Sequence, residues 1–333
     1  MLAQAGGPTL RAITYSRNFT LPVTNWCYNR CSYCSFRQNL PLLLDLEEVE
    51  RRALEAKGYG AIEALVMTGE GIDLNPRLAG VLRSWGYPSY AAYVARVCQR
   101  LLDLGLLPHT NIGTLTQGGL ELLGPVNASM GAMLETVSPA AARIAHQLAP
   151  TKAPAKRLAM LRWAGELRIP FTTGILIGIG ESAEERVRAL EAIAEVHARY
   201  GHIQEVILQP LNPQPDTPMA RWPRPPLEAL LELIPACRAI MPDVHVQIPP
   251  NLVDELIPLL EAGADDVGGL AHEPDHINPD RPWPKPEALE AALRPHGMRL
   301  KLRMPIYEEF VERGWYAPPV APVLEALCAA HAS

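Results

Sequence analysis

Short apolar runs rich in β-branched residues alternate along this chain with longer amphipathic segments, and that rhythm restricts the fold more than any other feature. It is the sign of parallel strands joined by helical crossovers. About eight runs qualify as strands: 19–25 (FTLPVTN), 62–69 (IEALVMTG), 109–116, 127–135, 171–180, 203–212, 243–250 and 299–305. Between them DLEEVERRALEAKG, YAAYVARVCQRLLDLG, TKAPAKRLAMLRWAGEL and SAEERVRALEAIAEVHARYG carry helical periodicity and end near glycine, as helix stops do. The pattern predicts an α/β fold, a TIM-type (β/α) barrel, partial to complete, with a C-terminal extension. Residues 1–333 are read as a single domain, with a core over about 15–245 and a C-terminal substrate-pocket portion over about 246–333. The proline-dense stretches QPDTPMARWPRPP and HEPDHINPDRPWPKP are read as long loops over one barrel face.

The 333 residues are 48% hydrophobic and 20% charged, enough apolar material for a core that surrounds a cofactor. A formal net charge of −6 argues against a broad electrostatic grip on nucleic acid or an anionic membrane, so a small-molecule substrate is expected. No run approaches the roughly 18 apolar residues of a membrane span. The polar start MLAQAGGPTLRAITYSRN lacks the apolar heart of a secretory signal, so the expected location is cytoplasmic.

Chemistry in such a barrel sits where strands end and loops begin, because those loops converge on one mouth. Directly after the first predicted strand comes Cys27-Tyr-Asn-Arg-Cys31-Ser-Tyr-Cys34, three thiols spaced C-x3-C-x2-C. Six cysteines are too few for a disulfide framework, and three crowded into eight residues read as metal ligands. Cys98, Cys237 and Cys328 stand alone in helix-like apolar stretches and read as small buried residues. A closed iron–sulfur cluster takes four cysteines, so three leave one iron open. A structural zinc site also wants four ligands, and no fourth cysteine or histidine follows nearby, His109 being the first histidine. A zinc fragment or a non-catalytic metal module is the bland alternative.

With Tyr33 before the third cysteine, this loop resembles the motif of the radical S-adenosylmethionine (SAM) superfamily. The resemblance implies a radical SAM core, a [4Fe-4S] cluster on Cys27, Cys31 and Cys34, and SAM chelated to the open iron, cleaved by one electron to methionine and a 5′-deoxyadenosyl radical. It marks Tyr33 and Phe36 as cofactor-binding positions. Gly69-Glu70, closing the second strand, looks like the superfamily's element for the methionyl amine, with the acid as acceptor for an ammonium; read alone it is any strand-ending turn. Gly174-Ile-Leu-Ile-Gly178-Ile-Gly180-Glu181 resembles the glycine-containing strand beside the adenosine, with Gly178 as a cofactor contact. Glu135 is the candidate acceptor for the ribose hydroxyls, against the alternative that it starts a helix. Gln209 and Asn212 end the sixth strand near the expected adenine.

Gly263-Ala-Asp265-Asp266-Val-Gly268-Gly269 is read as a strand end at the mouth, with Asp265 and Asp266 as catalytic candidates that anchor substrate hydroxyls or handle protons, crowding raising one of their pKa values. A solvated turn is the alternative. His272, His276 and Asn278 follow as substrate-binding candidates.

Finer resemblance runs from about residue 15 to 305. The stretch from Ser16 to Arg37 looks like the cluster loop of the smaller-subunit (CofG type) FO synthase family, and Trp85–Tyr90, Leu107–Thr116, Ala145-His146, Ala149–Lys152 and Ile169–Glu181 fit the same family. That family implies synthesis of 7,8-didemethyl-8-hydroxy-5-deazariboflavin, the chromophore of coenzyme F420. A sister radical SAM subunit would supply the substrate, a tyrosine-derived 4-hydroxybenzyl adduct of 5-amino-6-(D-ribitylamino)uracil, and an electron donor would be needed. This chain would abstract hydrogen, and the ring would close with loss of ammonia. The rival reading is another radical SAM enzyme of similar architecture: the sister subunit, an aminofutalosine-type menaquinone enzyme or a biotin-synthase relative.

Overall fold

The computed structural model describes residues 10–38 and 42–331; the first nine residues of the polar start, read above for a secretory signal, lie outside them. Eight strands follow one another around a closed sheet: β1 (Arg11–Leu21), β2 (Glu63–Met67), β3 (Leu107–Asn111), β4 (Ser129–Gly131), β5 (Phe171–Ile177), β6 (Ile203–Pro210), β7 (His245–Gln247) and β8 (Asp266–Ala271). Each pairs in parallel with its neighbour, and Asn18 of β1 lies opposite both Glu63 of β2 and Ala271 of β8, which closes the barrel. Helices fill the crossovers. The helix Ala183–Tyr200 opens on a capping box between Ser182 and Glu185 and stops at Gly201, whose φ of 62° suits glycine.

Two expectations need correction. The run 299–305 contains a strand, β9 (Met298–Leu302), but it is not a barrel stave: it pairs with Arg11–Tyr15, the first half of β1, on the edge that β2 takes over from Asn18 onward. The eighth stave is Asp266–Ala271, a segment read above as the end of a strand and not as a strand of its own, because of its two central glycines. Those glycines make room inside the barrel. A Cβ on Gly268 would stand 2.2 Å from the Gln247 amide nitrogen, and one on Gly269 2.2 Å from that of Asn18.

Outward strand residues such as Ile13, Val66, Val206 and Val246 are fully buried beneath the helices, each contributing about 1.5–3 kcal/mol by leaving water. Beyond β9 the chain turns under the barrel. The Pro305 carbonyl accepts from Ser129 Oγ at 2.6 Å and Gln204 Nε2 at 3.0 Å, the Tyr307 hydroxyl donates to Glu205 at 3.0 Å, and Arg303 reaches Asp266 at 2.6 Å and Glu205 at 3.1 Å. The proline-dense loops after β6 and β8 meet the cysteine loop at the opposite end, where Met219 N donates to Ser32 O and Ser35 Oγ to Ile277 O. No helix among the described residues is long and apolar enough to cross a membrane.

Candidate active site at the barrel mouth

The loop that leaves β1 carries Cys27, Cys31 and Cys34, all free and half-buried. It is tied down on two sides. Against the end of β2, Tyr28 N donates to Glu70 O at 2.8 Å and Glu70 N to Cys27 Sγ at 3.2 Å; against residues 144–151, Ser32 N donates to Ala145 O at 2.9 Å and Asn29 Nδ2 to Thr151 Oγ1 at 2.6 Å. The backbone N–H of Phe36 faces Cys34 Sγ. Burial pushes the Cys27 and Cys34 thiols up and that of Cys31 to about 12, while the Lys152 charge pulls all three down. Among the described residues no three His, Cys, Asp or Glu side chains converge as the ligands of one ion would. The trio is instead a set of separated sulfur donors with N–H groups aimed at two of them, and a [4Fe-4S] cluster, which binds each thiolate through its own iron, fits that donor set.

Gly69 is where the expectation shifts. The backbone does approach closely there, but what approaches is the cysteine loop: a Cβ would lie 2.1 Å from Trp26 O and 2.4 Å from Cys27 Cβ. Glu70, read as an acceptor for an ammonium, has its carboxylate engaged within the protein. Arg157 and the Thr151 hydroxyl bond it, Thr114 N donates at 3.1 Å, and Gly113 leaves room for it. Burial alone would raise its pKa, but the Arg157 and Lys152 charges with these donors bring it down to about 2.

Glu135 lies beyond β4, bridged to Ile175 of β5, with φ at +70°. No helix begins there, the next one starting at Pro139. A non-glycine residue in that region stores roughly 1–3 kcal/mol and persists only where its surroundings hold it there. Its carboxylate pairs with half-buried Lys152, whose charge overcomes the effect of burial and holds the Glu135 pKa low. The charges of both reach Cys31 and Cys34. Beside them the Tyr33 hydroxyl meets His146 Nε2 at 3.1 Å. Gly178, with φ at +95°, begins a turn wrapped on the Glu181 carboxylate, which accepts from Gly178 N at 2.7 Å and Ile179 N at 2.8 Å. Gln209 is half-buried on β6, and Asn212 ties the loop after β6 to Asn278 and Asp280.

Asp265 and Asp266 are not at the mouth. Asp266 starts β8 opposite Thr14 of β1, and Asp265 just precedes it, at the end remote from the cysteines. Their carboxylates are taken by different partners. Asp265 takes His245 at 2.8 Å and Arg238, whereas Asp266 faces inward to Arg303 and is held at about 2, its own burial outweighed by that guanidinium. The raised carboxyl is Glu205, pushed up by burial and by the Asp266 charge. His272 stacks on the exposed ring of Tyr59 and His276 is exposed; neither joins the cysteine loop. The site's charge and hydrogen bonds come from Thr114 after β3, from Thr151 and Lys152 on the short turn Pro150–Lys152 and from Arg157 on the helix Pro154–Glu166, segments far in sequence from Glu70.

The radical SAM superfamily signature matches residues 21–193. A protein of Archaeoglobus fulgidus named 7,8-didemethyl-8-hydroxy-5-deazariboflavin synthase is 46% identical over 95% of this chain and 97% of its own length. Synthases of that name from Methanococcoides burtonii and Methanothermobacter thermautotrophicus are each 42% identical over 95% of this chain and 96% and 98% of theirs. The chain belongs to this family of radical SAM proteins. Among solved structures, the [FeFe]-hydrogenase maturase HydG superposes with a TM-score of 0.71 at 16% identity, over 95% of this radical SAM chain and 69% of that one. Methylornithine synthase (PylB) gives 0.67 at 17%, over 93% and 87%. At such identities the likeness speaks for the barrel alone. Superfamily membership implies a [4Fe-4S] cluster and SAM.

Proposed function

We propose that this radical SAM chain makes the deazaflavin FO of coenzyme F420 biosynthesis from 5-amino-5-(4-hydroxybenzyl)-6-(D-ribitylimino)-5,6-dihydrouracil, by hydrogen abstraction, cyclisation and loss of ammonia. The observation that carries it is whole-length likeness to synthases of that name, joined to three free thiols at the barrel mouth. Cys27, Cys31 and Cys34 would hold the cluster, which with SAM supplies the radical that removes the hydrogen. Glu135, oriented by Lys152, is assigned to the SAM hydroxyls, and Tyr33, Phe36, Gly178 and Gln209 to the cofactor's surroundings; Gly69 and Glu70 set the cysteine loop against β2. A sister radical SAM subunit would supply the adduct, as the likeness to the named synthases suggests, and a separate donor would supply the electron. In this reading the protein works in the cytoplasm.

Anaerobic reconstitution followed by incubation with the adduct, SAM and dithionite tests the proposal. Fluorescent FO should appear together with 5′-deoxyadenosine. Deoxyadenosine without FO would instead favour another radical SAM reaction.

A further inference from the structure

The inner face of the barrel changes character along its axis. Towards the mouth the inward positions Leu65, Met67 and Ile207 are apolar and half-buried. Deeper, the registers set Glu63 beside Asn18 and Thr172 beside Glu205, all buried; His109, buried opposite Leu65, sits beside Ser129, whose hydroxyl reaches down to the Pro305 carbonyl. Gly131 and Gly174 leave side chains out of the same wall. A Cβ at Gly131 would stand 2.8 Å from His109 Nε2.

The hydrogen bonds determine which proton His109 carries. Its Nδ1 lies 2.7 Å from Ser129 Oγ, and that hydroxyl spends its single proton on the Pro305 carbonyl at 2.6 Å. Ser129 therefore accepts from His109, so the proton is on Nδ1 and Nε2 presents a bare lone pair. That nitrogen makes no hydrogen bond among the described residues. Burial, with the Arg303 charge, brings the His109 pKa down to about 3. This decides between two roles. A proton carrier works best with a pKa near the operating pH, whereas a fixed acceptor must stay neutral throughout, as this imidazole does.

Its neighbours on β1 and β2 are also short of partners. Asn18 Oδ1 is buried without a hydrogen bond, and Glu63, whose pKa burial pushes up, has the Ser16 hydroxyl beside it. Arg303, the nearest cation, spends its side-chain bonds on Asp266, Glu205 and Met304 O. An anionic ligand would face three carboxyls here. A bare aromatic ring would leave the lone pair and the amide unmatched. Hydroxyl groups, each both donor and acceptor, suit an imidazole acceptor, an amide and a carboxyl together.

We propose that this floor is a polyol subsite in which His109 Nε2, with Asn18 and Glu63, holds the hydroxylated chain of the substrate. The inference rests on the reaction proposed above, whose substrate carries a D-ribityl chain. It directs that chain to the floor and the hydroxybenzyl group to the apolar collar below the cysteines.

The test compares binding of FO with that of its 10-methyl analogue, which lacks the polyol, by fluorescence titration of the reconstituted enzyme. The wild type should prefer FO at least tenfold. His109→Phe should lose about tenfold of that preference while binding the methyl analogue as before, and His109→Gln, with an amide near the Nε2 position, should recover part of it. If His109→Phe does not fold, as its thermal melt would show, the Gln variant carries the test through an intermediate preference. An unchanged preference, or equal weakening of both ligands, overturns the subsite. A wild type that converts the adduct yet binds both ligands alike refutes the subsite and leaves the reaction standing; one that forms deoxyadenosine but no FO overturns the reaction, and the subsite's ligand with it.

Discussion

Removing Arg157 should destabilise the fold by an amount that depends on pH, and the structure sets its size. Glu70 and Arg157 are both buried, and the guanidinium is the largest favourable influence on a carboxyl brought from 4.5 to about 2. At 1.36 kcal/mol per pKa unit that depression corresponds to roughly 3 kcal/mol. Breaking one partner of a buried pair costs about 3–5 kcal/mol, because the other charge is left without compensation. In the wild type the folded pKa lies below the unfolded one, so this stabilisation is fully present above about pH 4.5 and is lost as pH falls towards 2. In Arg157→Met the carboxyl keeps its burial and loses its main counter-charge. Its folded pKa should rise above the unfolded value, and the penalty should be largest at high pH and shrink as Glu70 takes up a proton. Urea denaturation of the cluster-free protein at pH 8, 7 and 5.5 should show a deficit of about 3–5 kcal/mol at the top of that range, narrowing towards the bottom. Adding Glu70→Gln to Arg157→Met should recover most of it. A deficit independent of pH, or a double variant no more stable than the single one, would refute the reasoning.

Gly69→Ala must drive the cysteine loop away from Trp26 O, 2.1 Å from the new Cβ, so iron and sulfide bound per chain on reconstitution should fall, with a loss of roughly 1–3 kcal/mol in stability from overpacking; full cluster content would contradict it. Cys31→Ala should abolish SAM cleavage, read as 5′-deoxyadenosine by chromatography, while circular dichroism keeps the wild-type barrel signal. Arg303→Met leaves Asp266 and Glu205 facing each other without their cation, so a loss of about 3–5 kcal/mol is expected in denaturant titrations at pH 8, and it should ease as the pH falls and the carboxyls protonate.

The barrel was legible because crossover helices and parallel strands have periods that a single sequence displays, and the cysteine loop because its three ligands lie within eight residues. What escaped did so for identifiable reasons. The β8 stave was hidden by Gly268 and Gly269, which ordinarily weaken a strand but here clear space for Gln247 and Asn18. Asp265 and Asp266 were assigned to the wrong end because the segment was read as the end of a strand, whereas Asp266 begins one. The charges that hold the mouth, Lys152 and Arg157, come from a short 3-10 turn and from a helix, so nothing local announces that they meet Glu135 and Glu70. The interior carboxyls were present as isolated acids in apolar strands, Glu63 in EALVM and Glu205 in IQEVILQP. An ionisable residue facing into such a wall needs a partner from across the tube, and that clue was available.

The turn from Arg303 to Tyr307 has a consequence for traffic. With Pro305 and Tyr307 bonded across the lower rim, the tube is obstructed below among the described residues, and it faces the ring of loops around the thiols above. Whatever goes deepest has to be loaded first and is the last to leave.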